Sequence, residues 1–308
     1  MTWVAWRVQR SQLLATVGVL LALATWLLVT GLVMGHSQTW KYWTDGDIYV
    51  LYVLPGVLGL SLGVPLIAGE SSLGTDRLAW TQSTTRMRWL ATRLFVDGVI
   101  IVVFGAVLTL ITQWWTGTVA ISASTQSGGF SGIHVQPEAF DITGLVVVGY
   151  TLFAFFLGTA IGTLIRRPGW AFAAGLPIFI AVRFFVQGLR PHLVAPAIYT
   201  SLLEKASNAV FHGWQLNLAL LPASRISPPP GKTWQWWDAT PAFSACGDKV
   251  ASNAAYMHCV ALAHVHYVFQ YQPESHYWPL QGVETLIFLA LGVLLFGLTV
   301  IKVKRWRI

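Results

Sequence analysis

The chain has 308 residues, of which 55% are hydrophobic and only 10% charged, with a formal net charge of +7. Soluble domains carry roughly 25% charged residues, so this balance, with a mean hydropathy of +0.60, excludes an ordinary soluble domain and points to a polytopic membrane protein. Most of the positive residues flank apolar stretches, so membrane topology accounts for the charge and no nucleic-acid partner is expected.

The chain begins with a short segment in which Trp3, Trp6 and Arg10 fall at helical spacing, the pattern of a brief interfacial helix. Residues 13–34 form the first expected span, too long for the apolar core of a signal peptide. Residues 36–47 read as a polar loop. A second span over 48–68 contains Pro55 and Pro65, which a membrane helix tolerates.

Next comes the stretch that sets the rest of the reading, residues 69–90, GESSLGTDRLAWTQSTTRMRWL. It combines charge (Glu70, Asp76, Arg77, Arg86, Arg88) with apolar residues that have no evident core to enter (Leu73, Leu78, Trp80). A short loop of that kind between two spans suggests a docking element for a soluble partner. The plainer alternative is a connector whose arginines only set topology.

A third span is expected over 89–111, and a Ser- and Gly-rich loop over 113–141. The fourth span covers 142–165 and ends at Arg166-Arg167-Pro168; the fifth covers 169–188. Residues 189–279 form a long mixed segment. Its first part, up to Leu221, shows helical apolar spacing; its middle is irregular around Pro228-Pro229-Pro230; its end, HVHYVFQYQ, is strand-like. The sixth span is 280–301, followed by the basic tail KVKRWRI. The expected fold is therefore all-α and polytopic, with six transmembrane helices. It divides into residues 1–188, an extracytoplasmic segment 189–279, and the last helix with its tail, 280–308. Twelve Lys and Arg residues lie at the termini, the 69–93 stretch and the 166–167 turn, against six spread over longer loops on the other side, which places both termini in the cytoplasm.

Motifs for chemistry are sparse. Gly231-Lys232-Thr233 lacks the glycine a phosphate-binding loop needs five residues earlier, where Ile226 stands. His258, His264, His266 and His276 gather near Cys259, an arrangement compatible with a metal on a strand face or with plain surface histidines; no metal site is assigned. Gly59 and Gly63, and Gly158 and Gly162, sit inside spans at the spacing that lets helices approach closely, for packing within one bundle or across a dimer seam. Cys246 and Cys259 fall on the oxidising side and are expected to form a disulfide. Asp97, Arg183 and Glu284 lie within spans, where ionisable groups are costly and mark a transport pathway or gate. The depths of Arg183 and Glu284 match near the outer ends of spans five and six, so the two are expected to pair or to share a polar cluster; snorkelling to headgroups is the alternative.

The wording of several stretches resembles the ABC-2 type permeases of ABC transporters, particularly the actinobacterial branch. It is carried by Thr2-Trp3 with Trp6-Arg7, by residues 63–90, by Arg190-Pro191-His192, and by Tyr271-Gln272-Pro273 with Tyr277-Trp278-Pro279. The resemblance implies a transport subunit rather than an enzyme, a second permease chain (identical or different), and separate ATPase subunits that bind the ATP and magnesium. It also implies that the loop between spans two and three docks on the ATPase through Glu70, Leu73, Gly74, Thr75, Arg77, Trp80 and Arg86. The sequence departs from relatives at Gly69, where a basic residue is common, and at Ser72, where an acid is common. A multi-pass protein of the plasma membrane, exporting an amphipathic or hydrophobic compound, is the expected function. A membrane-embedded enzyme or receptor acting through the His- and Trp-rich outer segment is the alternative.

Overall fold

The structure, a computed structural model, describes residues 2–34, 40–69, 86–124, 137–202, 213–222 and 265–305. The chain forms two units: Met1–Thr125 with Glu138–Arg190 and Pro279–Ile308, and Gln126–Pro137 with Pro191–Trp278. Where no water reaches the backbone, its N–H and C=O groups must bond within the chain segment, and helices do so. Among the described residues the elements are α1 (Thr2–Met34), α2 (Trp40–Val64), a π-helical turn (Pro65–Gly69), α3 (Arg86–Ser124), α4 (Pro137–Phe140), α5 (Leu145–Ile165), α6 (Pro168–Leu193) and α7 (Tyr277–Lys304), with three strands between α6 and α7. Five stretches among the described residues are long and apolar enough to cross a membrane: Tyr49–Gly69, Leu90–Gly117, Leu145–Ile165, Pro168–Leu193 and Glu274–Lys304. In α1 the apolar stretch among the described residues is the shorter Val17–Leu32. The protein is thus an all-α polytopic membrane protein.

Several boundaries differ from those expected. The N-terminal segment is not a separate short helix but continues into α1, and α2 begins at Trp40, inside the expected 36–47 loop. α3 runs on to Ser124, through part of the expected 113–141 loop. Just before that stretch, Thr109 and Thr112 donate to the carbonyls of Gly105 (2.9 Å) and Leu108 (3.0 Å), so their hydroxyls need no water. After α6, where helical spacing was expected up to Leu221, Ala197–Leu202 (β1) and Gly213–Pro222 (β2) are strands. The strand-like composition of HVHYVFQYQ does correspond to β3, Val265–Pro273.

α5 is the hub of the first unit, with most of its residues buried. Its contact with α2 is made through four glycines. A Cβ on Gly59 would stand 2.5 Å from the Thr151 carbonyl, one on Gly63 2.2 Å from the Phe155 carbonyl, and one on Gly158 2.9 Å from the Val64 nitrogen. The paired small-residue motifs therefore serve packing within the bundle, where only a missing side chain permits that approach. Near the junctions with residues 70–85, the π-turn contributes Leu66 and Ile67 to an apolar cluster with Leu90 and Leu94 of α3, Phe155 of α5 and Val303 of α7. α5 ends at Arg166, whose left-handed backbone (φ 52°) returns its N–H to Gly162 at 3.1 Å, and Pro168 opens α6.

In the second unit β3 lies between β1 and β2, antiparallel to both, with Ala197 opposite Tyr271 and Trp214 opposite Gln272. Val268 and Gln272, on one face of β3, are buried. The Gln272 amide donates to the Val194 carbonyl at 2.8 Å and its oxygen meets Nδ1 of His276 at 2.7 Å.

Candidate functional site

α6 is a helix with one buried stripe. Ala171, Gly175, Phe179, Arg183, Val186 and Arg190 are buried, at the three- and four-residue steps of a single helix face. Trp170, Ile178, Phe184, Phe185 and Leu189 on the other faces are exposed. The two arginines thus point into the bundle rather than toward headgroups, at 3% and 0% exposure. A guanidinium buried in this way is tenable only with compensating charge and hydrogen bonds.

Compensation comes from two carboxylates and two tyrosines. Glu284 lies on α7 in the run Gln281, Glu284, Phe288, at steps of three and four, and all three are fully buried. Arg190 donates from Nε to Glu284 Oε2 (2.8 Å) and from Nη2 to Glu284 Oε1 (3.0 Å). It also donates from Nη1 to Asp141 Oδ2 (3.2 Å), and Nη2 is shared with Asp141 Oδ1. One guanidinium therefore clamps both acids, a use of the arginine fork that lysine does not offer. Its other face lies 4.3 Å over the Phe140 ring.

Arg183 is held differently. It donates to the backbone carbonyls of Tyr52 and Asp141, the latter at 2.7 Å, and stands 3.9 Å from the Asp141 carboxylate. Its guanidinium is sandwiched between the rings of Tyr52 (4.4 Å) and Tyr150 (4.2 Å). Arg183 Nε has no hydrogen-bond partner among the described residues. The Tyr52 hydroxyl donates to Asp141 Oδ2 at 2.8 Å. The Tyr150 hydroxyl lies between the two acids, 2.8 Å from Asp141 Oδ1 and 2.6 Å from Glu284 Oε1, with one proton for both. Two arginines against two carboxylates leave the cluster formally neutral.

Asp141 is presented by a tight turn between α4 and α5. Gly144 in that turn has φ 76°, which favours glycine, and the Thr143 hydroxyl closes back on the Ala139 carbonyl at 2.6 Å. Gln281 of α7 pins the turn: its oxygen accepts from Val146 N (2.8 Å) and its amide donates to the carbonyls of Thr143 (3.1 Å) and Phe140 (3.2 Å). It thereby caps an orphan N–H in the first turn of α5. Burial pushes the Asp141 carboxyl up, but the Arg190 and Arg183 guanidiniums, with hydrogen bonds from Arg190 and Tyr52, outweigh it and hold it below the usual carboxylate range.

Of the residues expected from sequence, Arg183 and Glu284 do meet in one cluster, but the ion pair to Glu284 is made by Arg190; Arg183 reaches it through Asp141 and Tyr150. Asp97 is buried on α3 between Leu94 and Ile101, which belong to the apolar cluster of the opposite end. Glu70, Leu73, Gly74, Thr75, Arg77 and Trp80 lie outside the described residues. Arg86 opens α3, and its side chain also lies outside them. The same holds for Cys246 and Cys259, and for His258 and His264. No group of three metal-ligating side chains is found among the described residues. Sequence reading missed Asp141, Tyr52, Tyr150 and Gln281, and took Arg190 for an outer-loop cation and part of the family wording, whereas it is a buried residue of α6. The seven-residue step from Arg183 to Arg190 and the steps from Gln281 through Glu284 were signals available without a structure.

Residues 30–190 match the family model described as ABC-2 membrane transporter related. No curated protein and no solved structure matches the chain.

Proposed function

Because the chain belongs to the ABC-2-related membrane transporter family, we propose that it exports an amphipathic or hydrophobic compound across the plasma membrane by alternating access. At the level the family carries, it is a membrane-embedded permease subunit of an ABC transporter, a transport subunit that pairs with ABC ATPase subunits. In the proposal it works with a second permease chain, both termini are cytoplasmic, and ATP and magnesium are held by the ATPases. Residues 69–90 form the coupling element, with Glu70, Leu73, Gly74, Thr75, Arg77, Trp80 and Arg86 at the ATPase contact. The buried cluster of Asp141, Arg183, Arg190 and Glu284 is the outer gate, closed in the resting state. A disulfide between Cys246 and Cys259 braces the outer segment.

The observation that carries the gate is the continuity of three helices. α2, α5 and α7 each supply a residue to the apolar cluster beside the coupling element (Leu62, Phe155, Val303) and another to the charge cluster (Tyr52, Tyr150, Glu284). From Tyr52 to Leu62 along α2 is about 15 Å at ~1.5 Å per residue. An ATPase that binds the two states of the loop with different affinity can bias the distant cluster through those helices. Glu70→Ala combined with Arg77→Ala is expected to lower transport and substrate-stimulated ATP hydrolysis while leaving membrane insertion intact. Normal transport by a double variant that still copurifies with its ATPase would remove those side chains as couplers. Labelling of unreduced, denatured protein with a thiol reagent tests the disulfide, and two reactive thiols would end it.

A further inference from the structure

We propose that the apolar groove between α3, α5 and α7 holds one acyl chain of an anionic bilayer phospholipid, with its phosphate on Arg88 and the basic end of α7. This goes beyond the transport reading and does not depend on it. The groove measures about 510 Å³ and is lined by Phe95, Gly98 and Val102 on α3, Leu152 and Phe156 on α5, and Phe296 on α7, among other hydrocarbon side chains. A surface so uniformly apolar, open at the side, suits a ligand with no polar group along its length.

Length and charge select the occupant. The α3 part of the lining runs from Ala91 to Val103, about 18 Å at ~1.5 Å per residue. That is close to one leaflet of a hydrocarbon core about 30 Å thick, the depth of a single lipid tail; a transmembrane helix of a partner would use the whole thickness. Phe95 stands out from the wall at 73% exposure, between the small residues Ala91 and Gly98, and keeps a second helix from close approach there. Arg88 is exposed and continues the stripe Ala91, Phe95, Gly98, Val102 one turn beyond the groove. Lys302, Lys304 and Arg305 close α7 and are exposed. They lie at the same end of the bundle, because Val303 packs in one cluster with Leu90 and Leu94. The groove therefore opens at a cationic rim, where a guanidinium and ammonium groups meet a phosphate.

Full-length protein in vesicles of phosphatidylcholine containing phosphatidylglycerol tests the proposal, with nitroxide-labelled lipid of each headgroup as the probe and motional restriction as the readout. The wild type is expected to restrict labelled phosphatidylglycerol in preference to phosphatidylcholine. Arg88→Gln should lower that preference about fivefold, the factor that ~1 kcal/mol per basic residue beside an anionic surface represents, while both lipids still enter. Gly98→Trp should abolish the restricted lipid: a Cβ on Gly98 meets nothing within 4 Å, so the indole fills the groove without displacing backbone. Gly18→Trp, equally open on α1, should change nothing. Restricted lipid that survives Gly98→Trp overturns the site, as does equal restriction of the two headgroups. Loss of a dimer in Gly98→Trp with lipid binding unchanged would give the groove to a second copy instead.

Discussion

Beside Gly69 and Arg86, helices α2, α3, α5 and α7 meet mainly through hydrocarbon: Leu62, Leu66, Leu90, Leu94, Phe155 and Val303. About 15 Å along α2 from Leu62, at ~1.5 Å per residue, α2, α5 and α7 meet again, now through carboxylates, guanidiniums and tyrosine hydroxyls. The first contact is non-directional, so small displacements change it gradually. The second is directional and fully buried, so it is either assembled or broken, with little in between. In the proposed cycle, motion at the first end is expressed as a switch at the second. The α2–α5 seam of Gly59, Gly63, Gly158 and Gly162, where the backbones nearly touch, runs alongside the hydrocarbon end, with Gly63 next to Leu62 and Gly158 three residues past Phe155.

The largest effect should come from breaking the directional end. Glu284→Ala leaves Arg190 buried with only Asp141, and removal of one partner from a buried pair typically destabilises by about 3–5 kcal/mol. Melting of the purified protein measures it. The geometry also decides which charge reversal recovers stability. Glu284→Arg with Arg190→Glu should recover part of the loss, because those two side chains are bonded directly. Glu284→Arg with Arg183→Glu should recover little, because Arg183 bonds carbonyls and faces Asp141. Equal recovery by both reversals would mean the cluster acts as a diffuse charge rather than as a clamp.

A smaller effect is expected at the seam. Gly63→Ala places a methyl 2.2 Å from the Phe155 carbonyl, and overpacking of a tight core contact generally costs about 1–3 kcal/mol. The same substitution at Gly18, where nothing lies within 4 Å, should stay within about 0.5 kcal/mol of the wild type, as surface changes usually do. If the two variants melt alike, the close approach of α2 and α5 is not what holds them.

How far the sequence led is clearest from single residues. Long apolar runs located the membrane helices, because hydrocarbon imposes length and composition together. Matched depth brought Arg183 and Glu284 to one level, yet depth says nothing about azimuth, and Arg190, one helical face-repeat further on, took the direct contact. Asp141 was unreadable because it is a turn residue, brought in by Gly144 and Gln281 rather than by any period. Tyr52 and Tyr150 look like ordinary aromatic residues of apolar helices until their hydroxyls are seen on carboxylates. The strands after α6 were misread as helical, although Trp214, Leu216, Leu218 and Leu220 alternate with Gln215, Asn217 and Ala219. That alternation is the period of a strand, and the apolar residues around it were weighed at the wrong spacing.

The finest test concerns one hydroxyl, and it asks how tightly the directional end is wired. Tyr150→Phe keeps the ring, and with it the stacking under Arg183 and the edge contact with Phe288 at 4.7 Å. It removes only the group between Asp141 and Glu284. Arg190 still spans both acids, so no charge is stranded, and the loss should be about 1.5–3 kcal/mol, the range for a hydrogen bond to a charged group. Tyr52→Phe should cost less, because its hydroxyl is half-buried and bonds Asp141, whereas that of Tyr150 is fully buried between Asp141 and Glu284. The two tyrosines differ in what they join: Tyr52 contacts one acid, whereas Tyr150 ties the 141–144 turn to α7. A double-mutant cycle between Tyr150→Phe and Glu284→Gln should therefore show coupling above the ~0.5 kcal/mol of independent sites, and a cycle between Tyr52→Phe and Glu284→Gln should show less. Equal coupling in both cycles would place the tie between the turn and α7 in Arg190 alone, and Tyr150 would then be a satisfied buried hydroxyl and no part of the switch.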